Sequence, residues 1–225
     1  IKIIPNSSKT EAELSDFNTQ HNLNLSFIAE NGSSIHGLDM IHDNLPSAIS
    51  VSRPLDKIYE IYNKNIPFEL KKKIILISKL NIDEQKKILG LPLDKIKLAM
   101  ERKHSIPIQF KGSEVEKDEL TKVIVDAGLT VQTGGRIMNI CDNVNKSKAM
   151  VKTLELISTE IKNEIITISV GDNQNDIDML KETDYSCLVK NDNFDSSLIN
   201  IDNLIKSSEP SPLGWADVIK TAIQK

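Results

Sequence analysis

The sequence is short of several things. Only Cys141 and Cys187 carry thiols in 225 residues. They are too few and too far apart for a disulfide framework and lack metal-ligand spacing, so a reducing cytoplasm is the expected compartment. No run approaches the roughly eighteen apolar residues of a membrane span, and the first residues lack a signal-peptide pattern. The chain opens on Ile1 and not on Met, which leaves a preceding segment with its own signal open. Excess basic charge is missing too, with 28 Lys and Arg against 32 Asp and Glu and a net charge of -4. Lys71, Lys72 and Lys73 form the one basic triplet and read as a solvated face, so no nucleic-acid partner is expected. Internal repeats and long low-complexity stretches are absent. What remains, 39% hydrophobic and 27% charged, is a soluble globular composition with room for one large domain or two small ones.

The most informative stretch is IITISVGDNQNDIDML, residues 165–180. Its first six positions are β-branched or apolar on nearly every residue, as in a strand buried on both faces of a parallel sheet. Gly171 ends the run, Asp172 stands at the strand's carboxyl end, where open α/β sheets place ligands, and a helix starts near Asn175 or Asp176. Asp172 and Asp176 are four apart around the turn. Two unit charges about 4 Å apart repel by roughly 4 kcal/mol at an effective dielectric near 20, so the pair calls for a counter-ion, and a hard cation such as Mg2+ takes such oxygens. The other reading is that Asp172 or Asn173 only caps the helix. Spacing alone leaves both open.

Elsewhere the chain alternates strand-like runs with helical patterns. IKIIP, residues 1–5, precedes a helical stretch at 11–20, with Ser7 or Ser8 as N-cap and Glu11 completing a capping box. Asn31-Gly32 between residues 27–30 and 33–35 predicts a type I′ hairpin. From about residue 37 to 130 amphipathic helices replace apolar parallel strands, which predicts an inserted domain. Pro54 opens a helix through 64, Asn81 or Asp83 one ending at Gly90, and Pro92 one through Arg102. Residues 106–110 read as a strand, and 114–127 as a helix with Gly128 at C′. Residues 129–131 and 137–140 read as a hairpin returning to the core. Asn145 to Ala149 open a helix with Met150, Leu154, Ile157 and Ile161 on its apolar face. Lys146 in its first turn opposes the helix dipole, which hints at an anionic partner. Residues 185–189 read as a strand and Gly214-Trp215 opens a terminal helix.

Several of these segments together carry a family resemblance. Gly171, Asp172, Asn175 and Asp176 resemble the fourth motif of the haloacid dehalogenase-like phosphatases, IIPNSSKTEAEL resembles the second, and Asn145-Lys146-Ser147 stands where that family usually has Asp-Lys-Gly. LAMERKHSIP (98–107), TGGRIMNI (133–140) and SSEPSPLGWADVI resemble the mannosyl-3-phosphoglycerate phosphatase group, and FIAENGSSI resembles the segment leading into the cap in the Cof-type branch, where Glu30 and Asn31 border the site although turn formation alone explains them. The resemblance implies an α/β fold: a Rossmannoid core with a parallel sheet at 1–36 and 131–225, and an inserted α+β cap, type IIB, at 37–130. It implies Mg2+ as cofactor, with Asp172 as direct ligand and Asp176 as second ligand or supporting partner, Lys146 beside the phosphate, and Asn175 orienting the phosphate or its waters. Ser7 binds the phosphoryl group in this reading, with Ser8 as the alternative and Lys9 beside them. Arg102, Ser105, Gly134, Gly135 and Arg136 bind substrate, and for each Arg a solvent-exposed ion pair is the competing explanation.

The implied chemistry is Mg2+-dependent hydrolysis of mannosyl- or glucosyl-3-phosphoglycerate to a compatible solute, through an aspartyl-phosphate. The nucleophilic Asp-x-Asp-Gly-Thr strand of that family is not found in these residues; Asp126 in VIVDAGLT lacks its second carboxylate. The expectation is a sequence incomplete at its N-terminus. Two rivals stand beside this reading: a sucrose-phosphate or other sugar-phosphate phosphatase, and a non-catalytic sugar-phosphate-binding protein.

Overall fold

A computed structural model describes residues 1–133, 137–197 and 199–225. It divides into two compact units, Ile1–Val144 and Asn145–Lys225.

In the first unit the expected opening strand is reduced to one parallel bridge, Asn6 to Ile28. Pro5 has no N–H for a ladder, and Ile1 and Ile3 lie exposed. Helix α1 (Glu11–Gln20) follows. Its cap is Thr10 and not Ser7 or Ser8: the Thr10 hydroxyl accepts from the Glu13 N–H and the Glu13 carboxylate accepts from the Thr10 N–H. A capping box needs its acid three residues after the cap, and for Thr10 that residue is Glu13, which leaves Ser7 and Ser8 in the preceding loop.

Strands β1 (Phe27–Ala29) and β2 (Ser34–His36) form the hairpin, and β3 (Ala48–Ser50), which no alternation announced, pairs with β2. The turn is wider than the two-residue form. Ala29 pairs with Ser34, so Glu30, Asn31, Gly32 and Ser33 make the loop, the first three with φ of 46°, 56° and 102°.

The segment that follows is α+β. Helices α2 (Leu55–Asn65) and α3 (Phe68–Lys71) lead to β4 (Ile74–Leu76), then α4 (Ile82–Leu89), α5 (Leu93–Met100), β5 (Ser105–Phe110), α6 (Glu114–Asp126), β6 (Thr130–Thr133) and β7 (Met138–Cys141). The sequence signals hold at the helix ends, where Pro54, Asn81 and Pro92 are N-caps and Gly90 closes α4 in the left-handed region. The sheet is antiparallel in the order β4-β5-β7-β6. Ile106, Ile108 and Ile140 on one face pack against Ile58 and Tyr62 of α2 and Leu120 and Ile124 of α6. The hairpin β6–β7 therefore belongs to the same sheet as β4 and β5, because β7 finds its partner in β5. Among the basic triplet, Lys71 lies over the Tyr62 ring, Lys72 pairs with Glu69 and Lys73 with Glu116.

The two ends of this segment are joined. Asp142, just after β7, accepts from the Arg53 N–H at 2.5 Å, Arg53 Nε at 2.6 Å and Ser52 Oγ at 3.1 Å, while the Arg53 guanidinium also reaches the Gly128 carbonyl at 2.8 Å.

In the second unit Asn145 caps α7 (Lys146–Glu160). Its buried face carries Ser147, Ala149, Thr153 and Ile157; of the expected line Ile157 is buried, while Met150, Leu154 and Ile161 are half-buried. Thr153 tolerates burial because its hydroxyl donates to the Ala149 carbonyl. Strand β8 (Ile168–Gly171) is shorter than predicted, with Ile166 exposed, and leads through a 3-10 turn into α8 (Ile177–Lys181). Then come β9 (Tyr185–Lys190), β10 (Ile205–Pro210) and α9 (Leu213–Ile223). The sheet is parallel, β10-β9-β8. Its central strand is buried on both sides, Cys187 and Val189 against Val218 and Ala222 of α9, Leu188 against Ile177 and Leu180 of α8. Among the described residues no helix is long and apolar enough to cross a membrane.

The Asp142 contacts have a pH signature. Burial works to raise its pKa, but the hydrogen bonds from Arg53 and Ser52 outweigh burial and the net shift is downward. A depressed carboxylate contributes stability that is complete above its unfolded pKa of about 3.9 and is lost as pH falls through the folded value. Asp142→Asn is expected to lower unfolding free energy at pH 7 by about 1–3 kcal/mol. The deficit should shrink on acidification below about pH 4, as read from urea titrations at pH 7 and pH 3.

Candidate functional site

The acidic turn of the second unit is built by one buried ion pair. Lys146 Nζ lies 2.7 Å from Asp176 Oδ1, and both side chains are almost fully buried, at 12% and 7% exposure. The other oxygen, Oδ2, accepts from the N–H groups of Asp172 at 3.1 Å and Asn173 at 3.2 Å. Asn173 caps the 3-10 turn, its Oδ1 accepting from the Gln174 N–H. The capping reading therefore falls to Asn173, with Asp176 as its reciprocal partner. Gly171 is needed because the chain passes so close to this carboxylate: a Cβ there would sit 2.3 Å from Asp176 Cβ.

Asp176 has the Lys146 cation on one oxygen and two N–H donors on the other, so it shapes the turn. Asp172 differs. It is exposed, and Asn191 Nδ2 touches its carbonyl at 3.1 Å and Oδ2 at 3.3 Å. Asn175 is likewise exposed on the 3-10 turn. Among the described residues no three His, Cys, Asp or Glu side chains gather, so a cation here would take the exposed Asp172 carboxylate and complete its shell with water. Hard oxygens in that number fit Mg2+, which keeps several waters and takes one or two carboxylates.

The first unit brings a second group of the expected residues together. In the loop before α1, Ser7 Oγ accepts from the Lys9 N–H at 3.2 Å. Ser8 is exposed, and Lys9 Nζ pairs with Glu13 at 3.1 Å. Arg102 does not stand in solvent. Its side chain is 8% exposed and lies 3.8 Å from the buried Glu30 carboxylate. Its NH1 donates to Ser105 Oγ at 3.1 Å and its NH2 to the Ser8 carbonyl at 3.4 Å. This overturns the exposed-ion-pair alternative and turns the guanidinium inward, because a buried carboxylate without a cation is costly. Ser105 likewise donates to Glu30, at 2.5 Å. Gly134, Gly135 and Arg136 lie outside the described residues.

Glu30 is the site residue whose weight the sequence concealed. Its signal was a carboxylate directly before Asn-Gly at the end of an apolar strand, which reads equally well as turn chemistry. The cysteines offer no alternative nucleophile. Both are buried and unpaired, and burial first, then the charges of Asp142 and Glu30, push the Cys141 thiol up to about 12, where no thiolate forms near neutrality.

Comparisons with known proteins bear on the family and the fold. The profile of the haloacid dehalogenase-like hydrolases matches residues 1–207. A glucosyl-3-phosphoglycerate/mannosyl-3-phosphoglycerate phosphatase of Methanococcoides burtonii is 30% identical over 245 residues, covering 100% of this chain and 86% of the relative. Another of the same description, from Persephonella marina, is 25% identical over 97% of this chain and 83% of its own length. Among solved structures, a protein of Streptococcus mutans UA159 superposes with a TM-score of 0.67 at 22% identity, over 100% of this chain and 86% of that one; at that identity the likeness concerns the fold.

The buried pair supplies a test. Lys146→Met leaves Asp176 buried without its cation and is expected to cost about 3–5 kcal/mol. Lys146→Met combined with Asp176→Asn should recover part of that loss. Guanidinium denaturation of the two variants measures both, and equal loss in single and double variants would remove the pair from its proposed place in the turn.

Proposed function

The chain belongs to the haloacid dehalogenase-like hydrolase family and is a phosphoric monoester hydrolase; on that premise we propose that its substrate is a glycosyl-3-phosphoglycerate, glucosyl or mannosyl. The reading is supported by relatives of that description spanning nearly the whole chain. The observation that carries it at the level of chemistry is the acidic turn, where the buried Lys146–Asp176 pair fixes the backbone and leaves Asp172 outward.

In this proposal Asp172 holds Mg2+, with the Asn175 amide and waters beside it. Bound there, Mg2+ supplies charge neutralisation to the phosphoryl group during transfer. Lys146, oriented by Asp176, places its ammonium group at the start of α7. The family resemblance gives the Ser7 hydroxyl, with a backbone N–H of its loop, the task of donating to phosphoryl oxygens. The route is through an aspartyl-phosphate, as the family resemblance implies, and the inserted α+β segment reads the glycosylglycerate end, with 37–130 as the proposed cap and the remainder as the proposed core. The product is a neutral sugar joined to glycerate.

Expressed from its complete reading frame, the protein is expected to release orthophosphate from glucosyl- or mannosyl-3-phosphoglycerate in the presence of Mg2+. Chelation with EDTA should abolish turnover. Asp172→Ala is expected to lower kcat by at least about 100-fold with an unchanged melting temperature. Ligand-induced thermal stabilisation without phosphate release would make the protein a binder of these esters; release from sucrose phosphate alone would move the substrate assignment.

A further inference from the structure

The loop of Ser7, Ser8 and Lys9 is held by its carbonyls. The Ser7 carbonyl accepts from the Asn31 N–H at 2.8 Å, the Ser8 carbonyl from Arg102 NH2 at 3.4 Å, and the Lys9 carbonyl from the Glu30 N–H at 2.8 Å. Three successive acceptors thus meet donors from the 30–31 turn and from the segment after α5. In a trans peptide the carbonyl and the following N–H point in opposite directions. Fixing the Ser7 carbonyl on Asn31 therefore aims the Ser8 N–H away from the turn.

The donors are themselves fixed by one carboxylate. Glu30 is 3% exposed. Its Oε1 accepts from the Lys103 N–H at 2.8 Å, and its Oε2 accepts from Ser105 and faces Arg102. Glu30 and Asn31 both sit in the left-handed region, which non-glycine residues occupy at a cost and which marks places where local conformation serves a purpose. A turn needing only a hairpin connection has cheaper solutions in glycine.

We propose that Glu30 and Arg102 are a pair of positioning residues that orient the Ser7–Lys9 loop toward a phosphoryl group, and that Arg102 acts through the loop and not by contact with the substrate's carboxylate. The proposal rests on the phosphatase reading for its consequence and on the geometry of the first unit for its cause. Arg102 is turned inward: NH1 donates to Ser105 at 3.1 Å and NH2 to the Ser8 carbonyl at 3.4 Å, with the Glu30 carboxylate 3.8 Å away. Ser105 belongs to the same support, since its hydroxyl bridges the acid and the guanidinium.

Glu30→Gln and Arg102→Lys test this in the protein from its complete reading frame. If the pair positions the loop, both variants lower kcat by about 10- to 100-fold with little change in KM. They should do so equally for a glycosyl-3-phosphoglycerate and for p-nitrophenyl phosphate, which has no carboxylate. If Arg102 binds the carboxylate, its variant raises KM for the glycosyl ester only and Glu30→Gln does not share the effect; that outcome overturns the proposal. A second arm needs no turnover. Hydrogen exchange at the Ser8 to Thr10 amides should quicken in both variants relative to the wild type, and unchanged exchange overturns the positioning claim. Wild-type protein inactive on every phosphate ester would instead defeat the phosphatase reading while the exchange arm still decides the contact. Should Arg102→Lys fail to fold, Glu30→Gln alone carries both arms.

Discussion

An ionised carboxylate enters a protein interior only in company, because the desolvation penalty exceeds what hydrogen bonds to neutral donors return. Among the described residues the buried acids are Glu13, Glu30, Asp142 and Asp176. Each meets one cation and at least one backbone N–H: Lys9 with the Thr10 amide, Arg102 with the Lys103 amide, Arg53 with its own amide, and Lys146 with the Asp172 and Asn173 amides. The recurrence explains why turns that differ in sequence are all rigidly specified. A backbone N–H aimed at a carboxylate fixes a peptide plane, and the neighbouring cation offsets part of the cost of burying it.

The same constraint separates what was legible in the sequence from what was not. Caps are chain-local. Asn81, Pro54, Pro92 and Gly90 announce helix ends within a turn of their partners, and those ends lie where predicted. The strand at 105–110 and the central strand of the parallel sheet were readable from apolar runs, and the candidate residues of the acidic turn were readable from family resemblance. Partnership across the chain was not. Lys146 meets an acid thirty residues away and Arg102 one that precedes it by more than seventy. From sequence the two acids of the turn called for a counter-ion that Mg2+ could supply, and Arg102 read either as a substrate ligand or as an exposed ion pair. The shift of the buried face of α7 has a similar root, since Thr153 is apolar enough to bury once its hydroxyl is satisfied within the helix. Short strands such as β3 carry too few residues to show a period.

For the chemistry, the consequence is a division of labour between residues that touch and residues that hold. The family relationship points to phosphate esters, and in the proposed reading the exposed Asp172, Asn175 and Ser8 are the groups that meet them. Behind each stands a buried charge pair. A phosphate-binding loop has to present donors at fixed angles before the anion arrives, and interior carboxylates supply that rigidity without lengthening the loop.

The join between Arg53 and Asp142 bears on how such a chain can change over generations. Residues 54–141 leave and return at one point, and that point is closed by a contact using the backbone of one side and the side chains of both. A block bounded this way is a cassette. Relatives with different inserted segments can arise by exchange of the whole block, provided the arginine and the aspartate travel as a unit. Two further seams, Lys95 with Asp16 and Arg102 with Glu30, must then be matched by the recipient. If the block reads the substrate as proposed, recombination at that boundary would alter what is recognised while leaving the strands and turns of residues 145–225 inherited intact.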